Sequence, residues 1–216
     1  MFEQWWGLMP TFMEGFRMTL LLFVVSGIGA LILGTLIAAM RISPVIALRV
    51  IGTVWTELAR NTPLTLVFVF TIFVLPMMGL RIDFLPLGMA ALMYYTSPFV
   101  AEALRSGING VPIGQAEAAR SIGLGFGQTV SIVVLPQAFR MTVPPLINVL
   151  IALVKNTSVA GGFFIMDLFG VTRQLANQNG NMVILILLTT AALYLVITIT
   201  LGFFAGRLEK KWLVLR

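Results

Sequence analysis

The 216-residue chain contains no cysteine and no histidine, and only 10% of its residues are charged. Without cysteine it has no disulfide, no thiol nucleophile and no thiolate metal ligand. Without histidine it lacks a Ser-His-Asp triad, an H-E-x-x-H zinc site and histidine ligation of haem. The G-x-x-x-x-G-K-[ST] loop that holds nucleotide phosphates is also missing. These absences predict that the chain is not an enzyme, has no catalytic or metal-binding residues and binds no cofactor.

What the chain has in excess is apolar surface: 59% of its residues are hydrophobic, and its mean hydropathy is +1.01. A soluble domain carries about 25% charged residues, so this chain has too few polar residues to cover a globule. The excess apolar side chains are therefore expected to face lipid or other embedded helices. Its net charge of +6 comes from basic residues scattered singly between apolar runs. This scatter argues against nucleic-acid binding and is typical of topology signals.

Five apolar segments are long enough to cross a membrane, because about 20 apolar residues span roughly 30 Å of hydrocarbon. We predict an all-α polytopic membrane protein with a single transmembrane domain over residues 1–216. The predicted spans cover about residues 18–40, 58–80, 84–104, 134–158 and 182–206. Prolines near the ends of the second and third spans predict irregular ends there: Pro63, Pro76, Pro86 and Pro98.

The positions of the 14 basic residues predict the orientation. Ten of them lie in residues 41–60, 102–140 and 207–216, three lie in the alternate segments, and Lys155 lies within a predicted span. Cytoplasmic loops carry the excess of Lys and Arg. The N-terminus is therefore expected outside and the C-terminus in the cytoplasm. Three tryptophans are expected to anchor the chain at membrane interfaces: Trp5, Trp6 and Trp212.

Small residues recur every four positions in the first predicted span, at Ser26, Ala30, Gly34 and Ala38. Residues four apart lie on one helix face. Small side chains there let another helix approach closely, since lipid provides no hydrophobic drive for association. This stripe predicts a packing face against another helix, either of this subunit or of a second one.

The longest weakly apolar stretch covers about residues 107–127, on the predicted cytoplasmic side. A helical run over residues 115–122 is bracketed there by breakers, which are Gly107, Gly110, Pro112, Gly123, Gly125 and Gly127. Glu117 and Arg120 lie three apart and could form an ion pair on one face. A short helix with a small surface is suited to docking into a groove of a soluble partner. The alternative is a helix lying on lipid headgroups, but the apolar face that such a helix needs is missing.

The residues Glu117-Ala118-Ala119, followed by Gly123 and by Val133-Val134-Leu135-Pro136, resemble the EAA loop of ABC importer permeases. That loop reads E-A-A-x₃-G-x₉-I-x-L-P, and Val133 replaces Ile. Four further segments resemble blocks of polar amino acid permeases, namely residues 60–64, 95–105, 135–140 and 155–158. The resemblance covers about residues 15–212. It points to the histidine/glutamine/glutamate/arginine permease group, and within it to actinobacterial glutamate permeases.

This resemblance implies the permease subunit of a type I ABC importer in a bacterial plasma membrane. Two such subunits, identical or related, would form the pathway. Two cytoplasmic ATPase subunits would bind ATP and Mg²⁺, and an extracellular binding protein would deliver the amino acid. Glutamate or glutamine is the expected substrate, and arginine, lysine or histidine is the alternative. A secondary transporter driven by an ion gradient is the rival from another class.

The resemblance also implies which residues couple the chain to the ATPase: Glu117, Ala118, Ala119, Arg120, Gly123, Leu135 and Pro136. Two polar groups are expected to line the substrate pathway, one at Arg60, Asn61 and Thr62, the other at Lys155, Asn156, Thr157 and Ser158.

Several of these charges have structural alternatives. A lysine inside a span usually faces a cavity or a partner, but Lys155 could instead snorkel to an interface or interact with a helix C-terminus. Arg60 could form a local ion pair with Glu57, and Arg105 could form one with Glu102. Two outer carboxylates are expected in solvated loops, with contact to the binding protein as the alternative: Asp83 and Asp167.

Overall fold

The computed structural model describes residues 2–212, without the side chains of Glu209, Lys211 and Trp212. Within this range every regular element is helical, as the predicted all-α class requires. The α-helices are α1 (Phe2–Ile42), α2 (Ile46–Arg60), α3 (Leu64–Val69), α4 (Leu75–Met77), α5 (Phe84–Asn109), α6 (Ile113–Ser121), α7 (Phe126–Gln128), α8 (Leu135–Asn156), α9 (Leu168–Gln178) and α10 (Val183–Trp212). The predicted anchor at Trp212 has no described side chain, and Arg216 lies outside the described residues.

Four helical stretches of the described chain are long and apolar enough to cross a membrane: Phe2–Ile42, Phe84–Asn109, Phe126–Gly162 and Gly180–Leu208. A fifth crossing is available as a broken span, in which Ile46–Arg60 is followed by Leu64–Met77 at an angle of 100°. The predicted second span, residues 58–80, therefore contains a sharp bend that hydropathy did not reveal. Residues 58–60 belong to α2, and α3 begins after Pro63.

The first helix is longer than the predicted span of residues 18–40. Helix α1 has 41 residues and, at about 1.5 Å per residue, is about 60 Å long, twice the thickness of the hydrocarbon. Its first turns pack on α10, where the Trp5 Nε1 donates a hydrogen bond to Thr189 Oγ1 at 2.9 Å. Phe12 is fully buried. Hydropathy detects the lipid-crossing part of this helix and misses the part stabilised by other helices.

The third span is also longer than predicted. Helix α5 continues through Pro98 to Asn109, whereas the predicted span ends at residue 104. Proline removes one backbone donor, but membrane helices tolerate it because neighbouring groups satisfy the freed carbonyl. The predicted coupling segment of residues 107–127 therefore begins inside α5. Its own helix, α6, begins at Ile113 rather than at residue 115.

Two prolines are each preceded by a widened turn. A π-helical turn covers Phe70–Val74 before Pro76, and another covers Thr129–Val134 before Pro136. A proline ring clashes with the carbonyl four residues before it, and a π-turn relieves that clash by widening the helix. The fourth span therefore begins at Phe126, before the predicted start at residue 134, and it extends past residue 158 in a 3₁₀ turn to Gly162.

The predicted packing stripe of α1 faces α5. Ser26 and Ala30 are fully buried, and the Ser26 hydroxyl donates to the Met89 carbonyl of α5 at 3.3 Å. At Gly34 the two helices are so close that a methyl group would lie 2.7 Å from the Ser97 carbonyl oxygen. The partner of this stripe is therefore a helix of the same chain.

Helix α8 completes the core and runs opposite to α1 and α5. Gly107 near the end of α5 touches Thr142 in the first half of α8, and Gly27 of α1 lies beside Leu153 near the end of α8. The buried side chains of Leu22, Phe68, Leu92 and Leu153 join α1, α3, α5 and α8 in one cluster. This core sets the relative heights of the functional segments described below.

The close contact at Gly34 can be tested by adding one methyl group. Gly34→Ala forces carbon into the Ser97 carbonyl of α5 and should destabilise the protein by about 1–3 kcal/mol. Gly7→Ala is the matched control in the same helix, because no atom lies within 4 Å of the added methyl. It should be neutral or more stable by up to about 1 kcal/mol. Thermal unfolding in detergent measures both, and equal midpoints would contradict the close packing.

Candidate functional site

Helix α6 projects from the bundle as a nine-residue helix. Glu117, Ala118 and Arg120 are exposed, and Ala119 is buried against the chain. Large apolar side chains stand exposed around the helix, with Ile113 at 77%, Ile122 at 79% and Phe126 at 77% exposure. The motif does not include these three residues. Exposed apolar groups around a short helix are typical of a surface that another protein covers.

The C-terminus of α6 is a Schellman motif built on Gly123. The Gly123 amide donates to the Arg120 carbonyl at 3.0 Å, and the Leu124 amide donates to the Ala119 carbonyl at 3.2 Å. Gly123 has a φ of +93°, a backbone conformation that glycine adopts without a steric penalty. The spacing from Ala119 to Gly123 therefore has a local structural reason. In a Schellman motif the glycine stands four residues after the helical residue whose carbonyl accepts the longer of the two closing hydrogen bonds, and that residue is Ala119 here.

The other predicted coupling residues lie beside this helix. The π-turn Thr129–Val134 packs against α6, and Leu135 and Pro136 follow it as exposed residues at the start of α8. Within residues 2–212 no ion pair joins Glu117 to Arg120. The ion pair that their spacing allows is therefore not formed, and both charges are available to solvent or to a partner.

The segment Arg60-Asn61-Thr62-Pro63 forms the bend between α2 and α3. The Asn61 amide nitrogen of the backbone and its side-chain Nδ2 both donate to the Glu57 carbonyl, at 3.2 and 2.7 Å. The Thr62 hydroxyl donates to the Leu58 carbonyl at 2.7 Å. Since Pro63 has no N–H, the last carbonyls of α2 would otherwise lack partners. Asn61 and Thr62 therefore end α2, and Pro63 directly precedes the start of α3.

Arg60 is not paired with Glu57, the local partner considered from the sequence. Its guanidinium lies 3.4 Å from Glu102 Oε1 of α5, because α2 ends against that helix. The predicted pair of Glu102 with Arg105 is present at 3.7 Å. Arg41 at the end of α1 also binds Glu102 Oε1. This meeting of charges was not predicted from the sequence, although charges at the predicted cytoplasmic ends of three segments were a usable signal.

The second predicted pathway group lies at the end of α8. Lys155 is exposed in the last turn of that helix, where a cation interacts favourably with the helix C-terminus. Thr157 is buried and donates to the Val154 carbonyl at 2.7 Å, and the Ser158 hydroxyl donates to the Lys155 carbonyl at 2.7 Å. Asn156 is half-buried. Lys155 is thus directed away from the core, and Thr157 toward it.

The structure does not bring the two pathway groups together in one chain. Leu153, next to the second group, packs beside Gly27 of α1, whereas Arg60 shares a carboxylate with Arg41 of α1. At about 1.5 Å per residue these two positions on α1 are about 20 Å apart. A single pocket formed by both groups within this subunit is therefore excluded. A pathway would have to pass one group after the other.

Asp167 does not lie in a solvated loop, and that expectation is wrong. The side chain is fully buried, because α9 folds back between α1 and α10. Its Oδ1 accepts a hydrogen bond from the Gly170 amide at 2.9 Å and caps α9, and its Oδ2 accepts one from the Tyr194 hydroxyl at 3.3 Å. Burial raises the pKa of Asp167 to about 6. Asp83, by contrast, is exposed before α5.

Comparisons with known proteins agree with this polytopic architecture. Residues 30–214 match the model of the family described as "Binding-protein-dependent transport system inner membrane component". The chain therefore belongs to this family of membrane transport components, and it is a multi-pass membrane protein.

Individual relatives narrow the class. The chain is 40% identical to the "Glutamate transport system permease protein GluC" of Corynebacterium glutamicum, over 96% of each chain. It is also 40% identical to the "Probable glutamine ABC transporter permease protein GlnM" of Bacillus subtilis, over 93% of this chain and 92% of that one. A crystal structure of an amino acid ABC transporter with histidines matches with a TM-score of 0.90 and 27% identity, covering 98% of both chains. The resemblance to ABC importer permeases is confirmed.

The buried Asp167 predicts a pH-dependent stability. Its pKa in the folded protein, about 6, exceeds the ordinary value of 3.8, so the folded state holds this proton more tightly than the unfolded state. The resulting stabilisation is complete below pH 3.8 and is lost as the pH rises through 6. It amounts to about 1 kcal/mol between pH 7.5 and pH 5.

Asp167→Asn keeps a cap for α9 but removes the titration. The rise in unfolding midpoint from pH 7.5 to pH 5 should therefore be smaller in this variant than in the wild type. Asp83→Asn is the control, because the exposed Asp83 makes no side-chain hydrogen bond to its helix. A wild-type difference retained by Asp167→Asn would show that another group causes it.

Proposed function

We propose that this chain is the membrane-spanning subunit of an ATP-driven ABC importer that moves a polar amino acid into the cytoplasm. The observation that carries the proposal is α6, an exposed short helix ended by Gly123 and surrounded by exposed apolar side chains. This arrangement supports docking of α6 on a cytoplasmic ATPase. The shared length and identity with ABC permeases support the same conclusion.

Glutamate or glutamine is the proposed substrate. Relatives at 40% identity carry glutamate or glutamine in their names, which favours this pair over arginine, lysine or histidine. An exposed Lys155 near the end of α8 is a suitable group to meet a carboxylate along the pathway. Asn156, Ser158 and the bend residues Arg60, Asn61 and Thr62 are proposed to line the same pathway at two heights, whereas the buried Thr157 is proposed to hold this segment in place.

The other components of the importer are proposed to be separate protein chains. ATP and Mg²⁺ bind the partner ATPases, since this sequence has no nucleotide loop, and this chain itself holds no cofactor. A second permease subunit, identical or related, completes the pathway, and an extracellular binding protein delivers the amino acid. We propose that the N-terminus is outside and the C-terminus cytoplasmic, in a bacterial plasma membrane. The concentration of basic residues in residues 41–60, 102–140 and 207–216 supports this orientation.

The rival function is a secondary transporter driven by an ion gradient. Such a protein needs no helix that docks on an ATPase, as α6 is proposed to do. Relatives of this chain also belong to ABC transporters. Uptake that persists without ATP and collapses with the ion gradient would favour this rival.

The deciding experiment is purification of the tagged protein in mild detergent, followed by mass spectrometry and by uptake assays in proteoliposomes. We expect an ABC ATPase in the eluate. Uptake of labelled glutamate into the proteoliposomes should require ATP on the side of the membrane that carries the ATPase. Competition by unlabelled glutamine, but not by arginine, is the expected selectivity. Repeated recovery of the chain alone, under conditions that keep a known ABC importer intact, would contradict the proposal.

The role of Gly123 in docking can be tested separately. Gly123→Ala places a side chain at a φ of +93°, which costs about 1–2 kcal/mol and disturbs the end of α6. Gly123→Asp adds charge and bulk as well. Both variants should insert and fold but lose ATP-dependent uptake, and Gly123→Asp should abolish it.

Gly127→Ala is the matched control for this backbone effect. The added methyl meets no atom within 4 Å at either position, but within the described chain only Gly123 of the two has a positive φ. Uptake should survive in Gly127→Ala. Full uptake by Gly123→Asp would remove α6 from the coupling mechanism.

A further inference from the structure

One carboxylate oxygen joins three helices at one end of the bundle. Glu102 Oε1 on α5 binds Arg41 at the end of α1, Arg60 at the end of α2, at 3.4 Å, and Arg105 on α5 itself, at 3.7 Å. These four residues are named the Glu102 cluster. Arg41 has only 9% of its side chain exposed, so this contact is shielded from solvent and weakly screened by salt.

The charges of the Glu102 cluster make the carboxylate indispensable to its geometry. Three guanidinium groups surround one carboxylate, and without it three cations would face one another with no anion between them. Arg60 is held to α5 a second time, because its guanidinium lies over the Phe99 ring at 5.9 Å from the centroid. Arg60 therefore attaches the last residue of α2 to α5 by two contacts, one turn beyond the contacts of Trp55 with Tyr94 and Ser97 of α5.

The two helices joined by the Glu102–Arg60 contact continue into different segments: α5 into α6, and α2 into the bend before α3. Helix α5 continues from Glu102 to Asn109 and reaches α6 through only Gly110, Val111 and Pro112. Arg60 is the last residue of α2, directly before the 100° bend into α3. Close packing of Gly107 on Thr142 keeps the end of α5 against α8. A displacement of α6 would therefore move the end of α5, and with it Glu102, which contacts Arg60 directly before the bend.

We propose that Glu102 is a positioning residue that links movement of α6 to the α2–α3 bend, so that ATP hydrolysis and opening of the pathway remain coupled. This inference rests on the proposed importer function. Glu102 acts through Arg60 and does not contact substrate or ATP. Loss of the carboxylate lets α6 and its ATPase go through their cycle while the bend no longer follows.

The test is the number of ATP molecules hydrolysed per amino acid imported, measured in proteoliposomes that contain the whole transporter and its loaded binding protein. Glu102→Gln removes the charge without changing the side-chain shape, and Arg60→Gln removes the link on α2. Both should raise this ratio about fivefold or more, the scale of a typical coupling free energy between two sites. Hydrolysis itself should fall much less than uptake.

Glu57→Gln is the matched control. Glu57 lies in the last turn of α2, near Arg60, and Asn61 Nδ2 donates to its Oε2 at 3.3 Å, an acceptor that an amide retains. Among the described residues it forms no ion pair. The ratio should stay at the wild-type value in this variant.

The outcomes separate this inference from the function on which it rests. Wild-type vesicles without ATP-dependent import would reject the importer function and the inference with it. Import by the wild type, with an unchanged ratio in Arg60→Gln, would reject the positioning role alone. A parallel fall of hydrolysis and uptake at constant ratio would also reject it, because that pattern indicates lost assembly. Arg60 has 42% of its side chain exposed, so Arg60→Gln remains informative even if Glu102→Gln does not assemble.

Discussion

Backbone N–H and carbonyl groups need hydrogen-bond partners at every irregular point of a membrane protein, and this constraint shapes the bend and the widened turns of this chain. The bend after α2 exists because Asn61 and Thr62 donate hydrogen bonds to the last free carbonyls of that helix, where Pro63 donates none. The widened turns before Pro76 and Pro136 keep a helical hydrogen-bond pattern around prolines that would break an ordinary helix. The irregular points of the fold are therefore chemically specified, and the segments proposed to function lie beside them.

The sequence predicted well what depends on composition and poorly what depends on contacts. Apolar runs located the membrane crossings because transfer into lipid depends on the sum of side-chain hydrophobicity. Helix ends were missed where packing extends a helix beyond the hydrocarbon, as in the first turns of α1, which are tied to α10 by Trp5. Pro98 does not end α5, because tertiary neighbours override a local preference. The only indication of the 100° bend in the sequence was Pro63, near the edge of the predicted second span.

The candidate site shows the same division. Gly123 was predictable, since a glycine four residues after Ala119 is the local signature of a Schellman motif. The Glu102 cluster was not, because Arg41 and Glu102 are 61 residues apart in sequence, and only the fold brings them together. Asp167 was misplaced for a related reason. A charged residue between two spans is usually solvated, and nothing in the neighbouring residues indicates that Tyr194 and α9 enclose it.

The two ends of the bundle are held by different interactions, and this difference bears on mechanism. At the end that carries α6, full charges join α1, α2 and α5 through one carboxylate. At the other end, α9 is held by hydrogen bonds from Leu168 to Thr19 and from Tyr194 to Asp167. At the first end three cations share one acceptor oxygen, whereas at the other end each bond joins its own donor and acceptor. In the proposed importer, loss of Glu102 therefore releases the ends of α1 and α2 together, whereas loss of either hydrogen bond at the α9 end leaves the other in place.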